Sequence, residues 1–216
     1  EDDYDRDRLV ERLTTVLEET GTLCYAWALI PNHFHLLIRT GSIPVAGVMR
    51  RLLTGHAVNF NLRHRRSGHL FQNRYKSILC QEEPYLLELV RYIHLNPIRA
   101  GLVADLHSLD RYAYSGHSRV MGKLKGDFQD IKTVLSMFGE TRREARKRYN
   151  AFVFKGFLAG KRPELTGGGL IQSYGGWHAI KEFRRMGAHF KSDERVLGDS
   201  DFVDVVLKAA SEKLDR

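Results

Sequence analysis

The 216-residue sequence predicts an α+β protein. Three observations carry that expectation. Apolar residues recur at helical spacing at Leu9, Leu13, Val16 and Leu17, two apolar runs adjoin across Pro31 and Asn32, and residues 45–66 return to helical spacing.

Taken in order, residues 5–19 read as an amphipathic helix, stopped by Gly21 because glycine enters the left-handed region without a side-chain clash. Residues 23–30 and 33–39 are apolar and rich in aromatics, and the Pro-Asn pair between them is a turn signal, so they form an antiparallel hairpin. Over 45–66, Val48, Leu52, Leu53, Val58 and Leu62 turn toward a core and leave most of the basic residues outside. Ser67 and Gly68 break that helix. Leu70, Phe71, Tyr75, Ile78 and Leu79 alternate enough over 69–80 to predict a further strand. Residues 83–96 are helical again, with Pro84 in the first turn, where its missing N–H is tolerated, and Pro97 as the stop. Past Gly101 comes a loop rich in Tyr, His and Ser, then helical segments at 130–138 and 141–158. The second of these carries Arg142, Arg143, Arg146, Lys147 and Arg148. Pro163 and Gly167 to Gly169 read as a linker before an amphipathic helix at 202–214.

The formal charge is +8, and its distribution is one-sided: no acid falls between Glu19 and Glu82, whereas Arg39, Arg50, Arg51, Arg63, Arg65, Arg66, Arg74 and Lys76 do. A solvated face mixes signs, so this interval reads as a phosphate-facing surface, with Arg50, Arg51, Arg63, Arg65, Arg66, Arg74 and Lys76 as candidate nucleic-acid contacts. The longest apolar run, residues 25–30, is far short of the roughly 20 residues that cross a bilayer, and no charged-then-apolar leader opens the sequence, so a cytoplasmic protein without membrane association is expected. Cys24 and Cys80 make no CxxC pair and read as reduced structural thiols. The sequence starts at Glu1 without methionine and ends at Arg216 inside a charged helical pattern, which reads as a fragment.

His33 and His35 flank Phe34 on a predicted strand, so both imidazoles share one face. Such a pair can ligate a metal, although H-x-H alone is more often two ordinary histidines. Tyr92 and Asn96 stand one helical turn apart. An amide oxygen beside two imidazoles would suit a hard cation such as Mg2+ or Mn2+ with positions left open for phosphate oxygens. By spacing alone, a core tyrosine and an asparagine cap before Pro97 fit equally well. His94 falls on another face of the helix and reads as a packing or DNA-contact residue; Glu88 reads as a surface glutamate.

Three segments, residues 25–38 (YAWALIPNHFHLLI), 68–76 (GHLFQNRYK) and 91–103 (RYIHLNPIRAGLV), resemble in content and order the single-tyrosine HUH transposases, which include insertion-sequence-200-like and REP-associated members. The resemblance covers roughly the first half of the sequence. It implies a ferredoxin-like antiparallel sheet with helices on its faces (the HUH endonuclease fold), whose first strand would precede the first helix and is missing here. It divides the sequence into a catalytic domain at 1–115 and a mainly helical extension at 116–216. It also implies Tyr92 as nucleophile, His33, His35 and Asn96 as metal ligands, Mg2+ or Mn2+ as cofactor, and hairpin-bearing single-stranded DNA as substrate. The product would be a 5′-phosphotyrosine. A homodimer sharing its tyrosine helices and a lone protomer are both compatible with it. Two other functions compete: a domesticated DNA-binding protein without turnover, and an HUH nuclease or replication-initiator-like enzyme.

Overall fold

The computed structural model describes residues 2–126, 128–160, 196–197 and 200–214. They fall into two compact units, Glu1–Tyr75 with Val90–Leu158, and Lys76–Leu89 with Ala159–Arg216.

The first unit opens with α1 (Asp3–Thr20), whose start is a capping box: Asp2 accepts from the Asp5 N–H while the Asp5 carboxylate accepts from the Asp2 N–H. Gly21 ends it as expected, at φ 60°, with the N–H groups of Gly21 and Thr22 closing back on Glu18 and Leu17. Next come β1 (Leu23–Ile30) and β2 (His33–Arg39), an antiparallel hairpin in which Leu29 faces Phe34 and Ala28 faces His35. β1 has a register slip between Cys24 and Ala26, and its side chains are buried from Cys24 to Leu29, so both faces of the strand are covered. The outer edge of β1 is covered by loop backbone, with Leu29 N–H donating to Tyr114 and Asp130 N–H to Cys24.

α2 (Val45–Arg63) follows, and with α1 it packs on one face of the hairpin. Leu13, Leu17, Trp27, Leu29, Met49 and Leu52 form that core, and Phe34, Leu36 and Ile38 of β2 lie against it. Val58 and Leu62, expected toward a core, are exposed, and the second half of α2 instead buries His56 and Phe60. The buried line Met49, Leu52, His56, Phe60 is a true i, i+3, i+4 series, whereas Val58 and Leu62 sit on the opposite face. The helix closes with Arg66 N–H on Asn61 and with Arg65 in the left-handed region at φ 51°.

Of the strand expected over 69–80, only β3 (Leu79–Cys80) forms. Gln72, Asn73, Arg74, Lys76 and Ser77 are exposed and offer no apolar face to bury, so residues 69–78 run as bends and coil. Further helices are α3 (Glu82–His94), α4 (Asn96–Arg99), α5 (Leu106–Leu109), α6 (Gly116–Val120), α7 (Ile131–Ser136) and α8 (Arg142–Leu158). The expected 83–96 helix is thus interrupted at Leu95, because Pro97 has no N–H to continue the ladder; Leu95 keeps αR angles, so the turn geometry persists.

In the second unit, β3 pairs in parallel with β4 (Val196–Leu197), and α9 (Ser200–Leu214) buries Val203. Residues 82–89 of α3 belong to this unit and residues 90–94 to the first. The linker expected at Pro163 and Gly167 to Gly169 lies outside the described residues.

The α+β class is therefore observed. The ferredoxin-like sheet is not: among the described residues the strands make two separate two-stranded sheets, β1–β2 and β3–β4, with no other strand on the second edge of β2. No described helix is long and apolar enough to cross a membrane. Cys24 and Cys80 are free thiols, and burial pushes them up to about 12 and about 11, which keeps them unreactive.

α1 and α2 are also joined by charge. Arg63 donates to Asp2 and Asp5, and His64 meets Asp5 at 2.9 Å. Burial works to raise the Asp5 carboxyl, but hydrogen bonds from Arg63, His64 and the Asp2 N–H together hold it below its ordinary value; Arg63 does the same for Asp2. Depressed carboxyl values stabilise the fold above the unfolded range and lose that effect as protons return. Thermal stability should therefore fall as pH drops below about 4. Asp5→Asn should cost about 2 kcal/mol at neutral pH and flatten that acid limb. Melting curves of both proteins from pH 7 to pH 2.5 would check this, and parallel pH profiles would refute it.

Candidate metal and tyrosine site

Alternation along β2 sends Phe34 into the core and both His33 and His35 to the opposite face. Their Nε2 atoms converge to 3.1 Å. Nδ1 of His33 donates to Oδ1 of Asn32 at 2.7 Å, which fixes the ring and leaves a lone pair on its Nε2. Burial, with a smaller push from neighbouring His33, lowers His35 to about 4, so its ring is neutral at pH 7. The 3.1 Å separation suits an N–H···N bond between the rings. It also suits two adjacent ligands of an octahedral cation, which with bonds of ~2.1 Å stand about 3 Å apart. Among the described residues no group of three or more His, Cys, Asp or Glu could hold a metal, so a further ligand drawn from the described residues would be of another type.

Tyr92 supplies the second half of the site. Its ring stands edge-on to His35, centroids 6.1 Å apart. The buried Asn96 donates Nδ2 to the Tyr92 carbonyl at 3.1 Å, so tyrosine and amide remain paired across the break at Leu95. Burial raises the Tyr92 phenol, against lowering contributions from Arg99 and Asn96. The Arg99 guanidinium lies 5.0 Å from the Tyr92 ring centroid. No motif in the sequence singles out Arg99, although its i+7 spacing from Tyr92 puts the two on one face.

The remaining candidates divide. Arg50, Arg65, Arg66 and Arg74 are exposed in the first unit, Arg66 with its guanidinium 5.7 Å from the Phe60 ring. Arg51 reaches Glu19 at 3.4 Å, and Arg63 is the clamp on Asp2 and Asp5, with the Tyr4 ring under its guanidinium. Lys76 and Glu88 belong to the second unit.

His94 is fully buried, so it packs rather than touching DNA. Its Nδ1 meets the Tyr149 hydroxyl at 2.7 Å; the same hydroxyl meets His117 Nδ1 at 2.9 Å, and His117 Nε2 donates to Asp110 at 2.8 Å. Burial first, then the proximity of His117, holds His94 well below its ordinary value, and burial drives the Tyr149 phenol up. Arg91 adds a hydrogen bond to the Phe152 carbonyl and stacks 4.1 Å from that ring. The last turn of α3 is thus bolted to α8, which leaves Tyr92 directed at His35.

With that geometry in place, the comparison with protein families is informative: residues 1–96 match the family described as Transposase IS200 like. Residues 1–96 belong to the IS200-like transposase family. The IS200-like segment contains His33, His35, Tyr92 and Asn96, whereas Arg99 and α8 lie beyond it. Comparisons with curated proteins and with solved structures gave no match.

Gly116 is the tight point of the buried network beside the IS200-like segment. A Cβ there would lie 2.6 Å from both His94 Nε2 and Gln129 Oε1. Gly116→Ala should therefore destabilise by about 1–3 kcal/mol, read as a drop of several degrees in melting temperature. An unchanged melting temperature would mean that the network yields freely.

Proposed function

We propose that this protein cleaves and rejoins single-stranded DNA through a 5′-phosphotyrosine on Tyr92, aided by Mg2+ or Mn2+. The observation that carries this reading is the edge-on placement of Tyr92 against His35, whose Nε2 converges with that of His33. Membership of residues 1–96 in the IS200-like transposases supports it.

His33, His35 and Asn96 would hold the cation, His33 and His35 through Nε2 and Asn96 through its amide oxygen, since its nitrogen already serves the Tyr92 carbonyl. When bound, the cation would offset charge on the scissile phosphate. Tyr92 Oη loses its proton as it bonds to phosphorus, the bond from phosphorus to the 3′-oxygen breaks, and the 3′-oxygen leaves as a hydroxyl after taking up a proton, so that the step releases and consumes one proton each. The phosphotyrosine conserves the ester bond, so attack by a 3′-hydroxyl reseals DNA and returns the phenol without a nucleotide cofactor. Arg99 lies where its charge favours the electron-rich phenolic oxygen, which burial alone disfavours. Arg50, Arg65, Arg66 and Arg74 are exposed and would track the phosphate backbone; a hairpin in the DNA would present the single strand to the site. A ferredoxin-like arrangement goes with this reading and would place a further strand on the second edge of β2.

Labelled hairpin DNA with Mg2+ or Mn2+ should give a covalent adduct that survives denaturing electrophoresis, and Tyr92→Phe should give none. An adduct of equal yield with Tyr92→Phe, or no adduct with either protein, would overturn the assignment. Calorimetric titration should show Mn2+ binding that His35→Ala removes; retention of binding would exclude the histidine pair as ligands. Arg99→Ala should slow adduct formation about tenfold, within the 0.5–2 kcal/mol scale of a cation over an aromatic ring, while leaving Mn2+ affinity unchanged.

A further inference from the structure

A second site lies outside the matched segment, in a groove of about 410 Å³ between α5 and α8. Leu106, His107 and Asp110 line one wall, and Lys147, Asn150 and Phe154 the other. Lys147, Asn150 and Phe154 stand at i, i+3 and i+7 on α8 and so form one stripe. Phe154 is 48% exposed, so one face of its ring is open along the groove. The helix carries Arg142, Arg143, Arg146, Lys147, Arg148 and Lys155 against the single acid Glu144, and Glu144 is already joined to Arg148 at 2.5 Å. Asp110 is the groove's acid: its Oδ1 accepts from His117, while the side chain stays 19% exposed toward the groove.

We propose that this groove binds one nucleotide of single-stranded DNA, with the base stacked on Phe154, a neighbouring phosphate on Lys147, and an exocyclic amino group donated to Asp110. Each role matches the chemistry of its residue. An exposed ring offers a π-face that any base can cover. A flexible ammonium beside it serves a phosphate as a point charge. A carboxylate accepts only, so it favours bases that project an exocyclic amino group and disfavours thymine, whose only N–H is the ring N3–H between two carbonyls that repel the carboxylate. The volume falls in the range of small-ligand sites, ≈300–1,000 Å³. DNA is the source of the nucleotide because most of the IS200-like segment, residues 1–75 and 90–96, lies in the same compact unit as the groove. This site needs neither Tyr92 nor a metal, so it stands or falls apart from the cleavage reading.

The test is equilibrium binding of fluorescent hexadeoxynucleotides to the full chain in EDTA, where no cleavage occurs. Oligo(dC) and oligo(dA) should bind more tightly than oligo(dT). Phe154→Ala should weaken oligo(dC) binding about tenfold, inside the range expected for loss of one base–aromatic stack. Lys147→Ala should weaken it severalfold and reduce the salt slope by about 0.7, the release of one counterion from a single strand. Lys132→Ala, an exposed charge on α7, should change affinity less than twofold and is the charge-matched control. All three variants are on the surface, and melting curves matching the parent verify their folding. The proposal is overturned by failure of the parent to bind any of the oligonucleotides, by an oligo(dT) preference, or by Phe154→Ala and Lys147→Ala matching the Lys132→Ala control. Adduct formation on hairpin DNA, measured separately, reports on Tyr92 alone.

Discussion

The Tyr149 hydroxyl joins α3, α6 and α8 in the interior, and the position of the candidate nucleophile rests on it. A hydroxyl carries one proton and two lone pairs, so it can bridge the two imidazole nitrogens, while Asp110 accepts from His117 and anchors the far end of the chain. Hydrogen bonds in so dry a setting are strong when made and expensive when lost. The reward is geometric: the last turn of α3 cannot rotate about its axis without breaking the contact of His94 with Tyr149. Since Tyr92 is two residues away, its direction toward His35 is set by a residue more than 50 positions later in the chain.

Around that anchor the hairpin divides the labour of the first unit. One face of β2 presents Phe34, Leu36 and Ile38 to the core beneath α1 and α2; the other presents His33 and His35. Burial of His35 on that second face lowers its basicity and leaves a neutral imidazole there. Cation chemistry divides in the same way. Arg63 is spent on holding two helices together, Arg99 attends Tyr92, and arginines of the α2 end and the following coil remain at the surface.

Much of this was legible in the linear sequence. The 2.0-residue period places His33 and His35 together, the helical turn places Asn96 beside Tyr92, and Gly21 and the Pro-Asn turn mark real ends. These features depend on local geometry, which sequence spacing encodes directly. Residues 69–78 misled because scattered apolar residues imitate strand alternation when no partner edge is in view. Val58 and Leu62 misled because hydrophobicity alone does not say which side of a helix has a neighbour.

The sequence by itself determined the α+β class, the hairpin, the histidine pair and the tyrosine with its amide, because each follows from dihedral preference and residue period. Only the tertiary structure decided which cations are engaged, that His94 is an internal bolt, that Arg99 stands over Tyr92, and that Lys147, Phe154 and Asp110 share a groove. Those relations join residues that are distant in sequence or depend on which helix face finds a neighbour, and burial and electrostatics exist only once the chain has closed on itself.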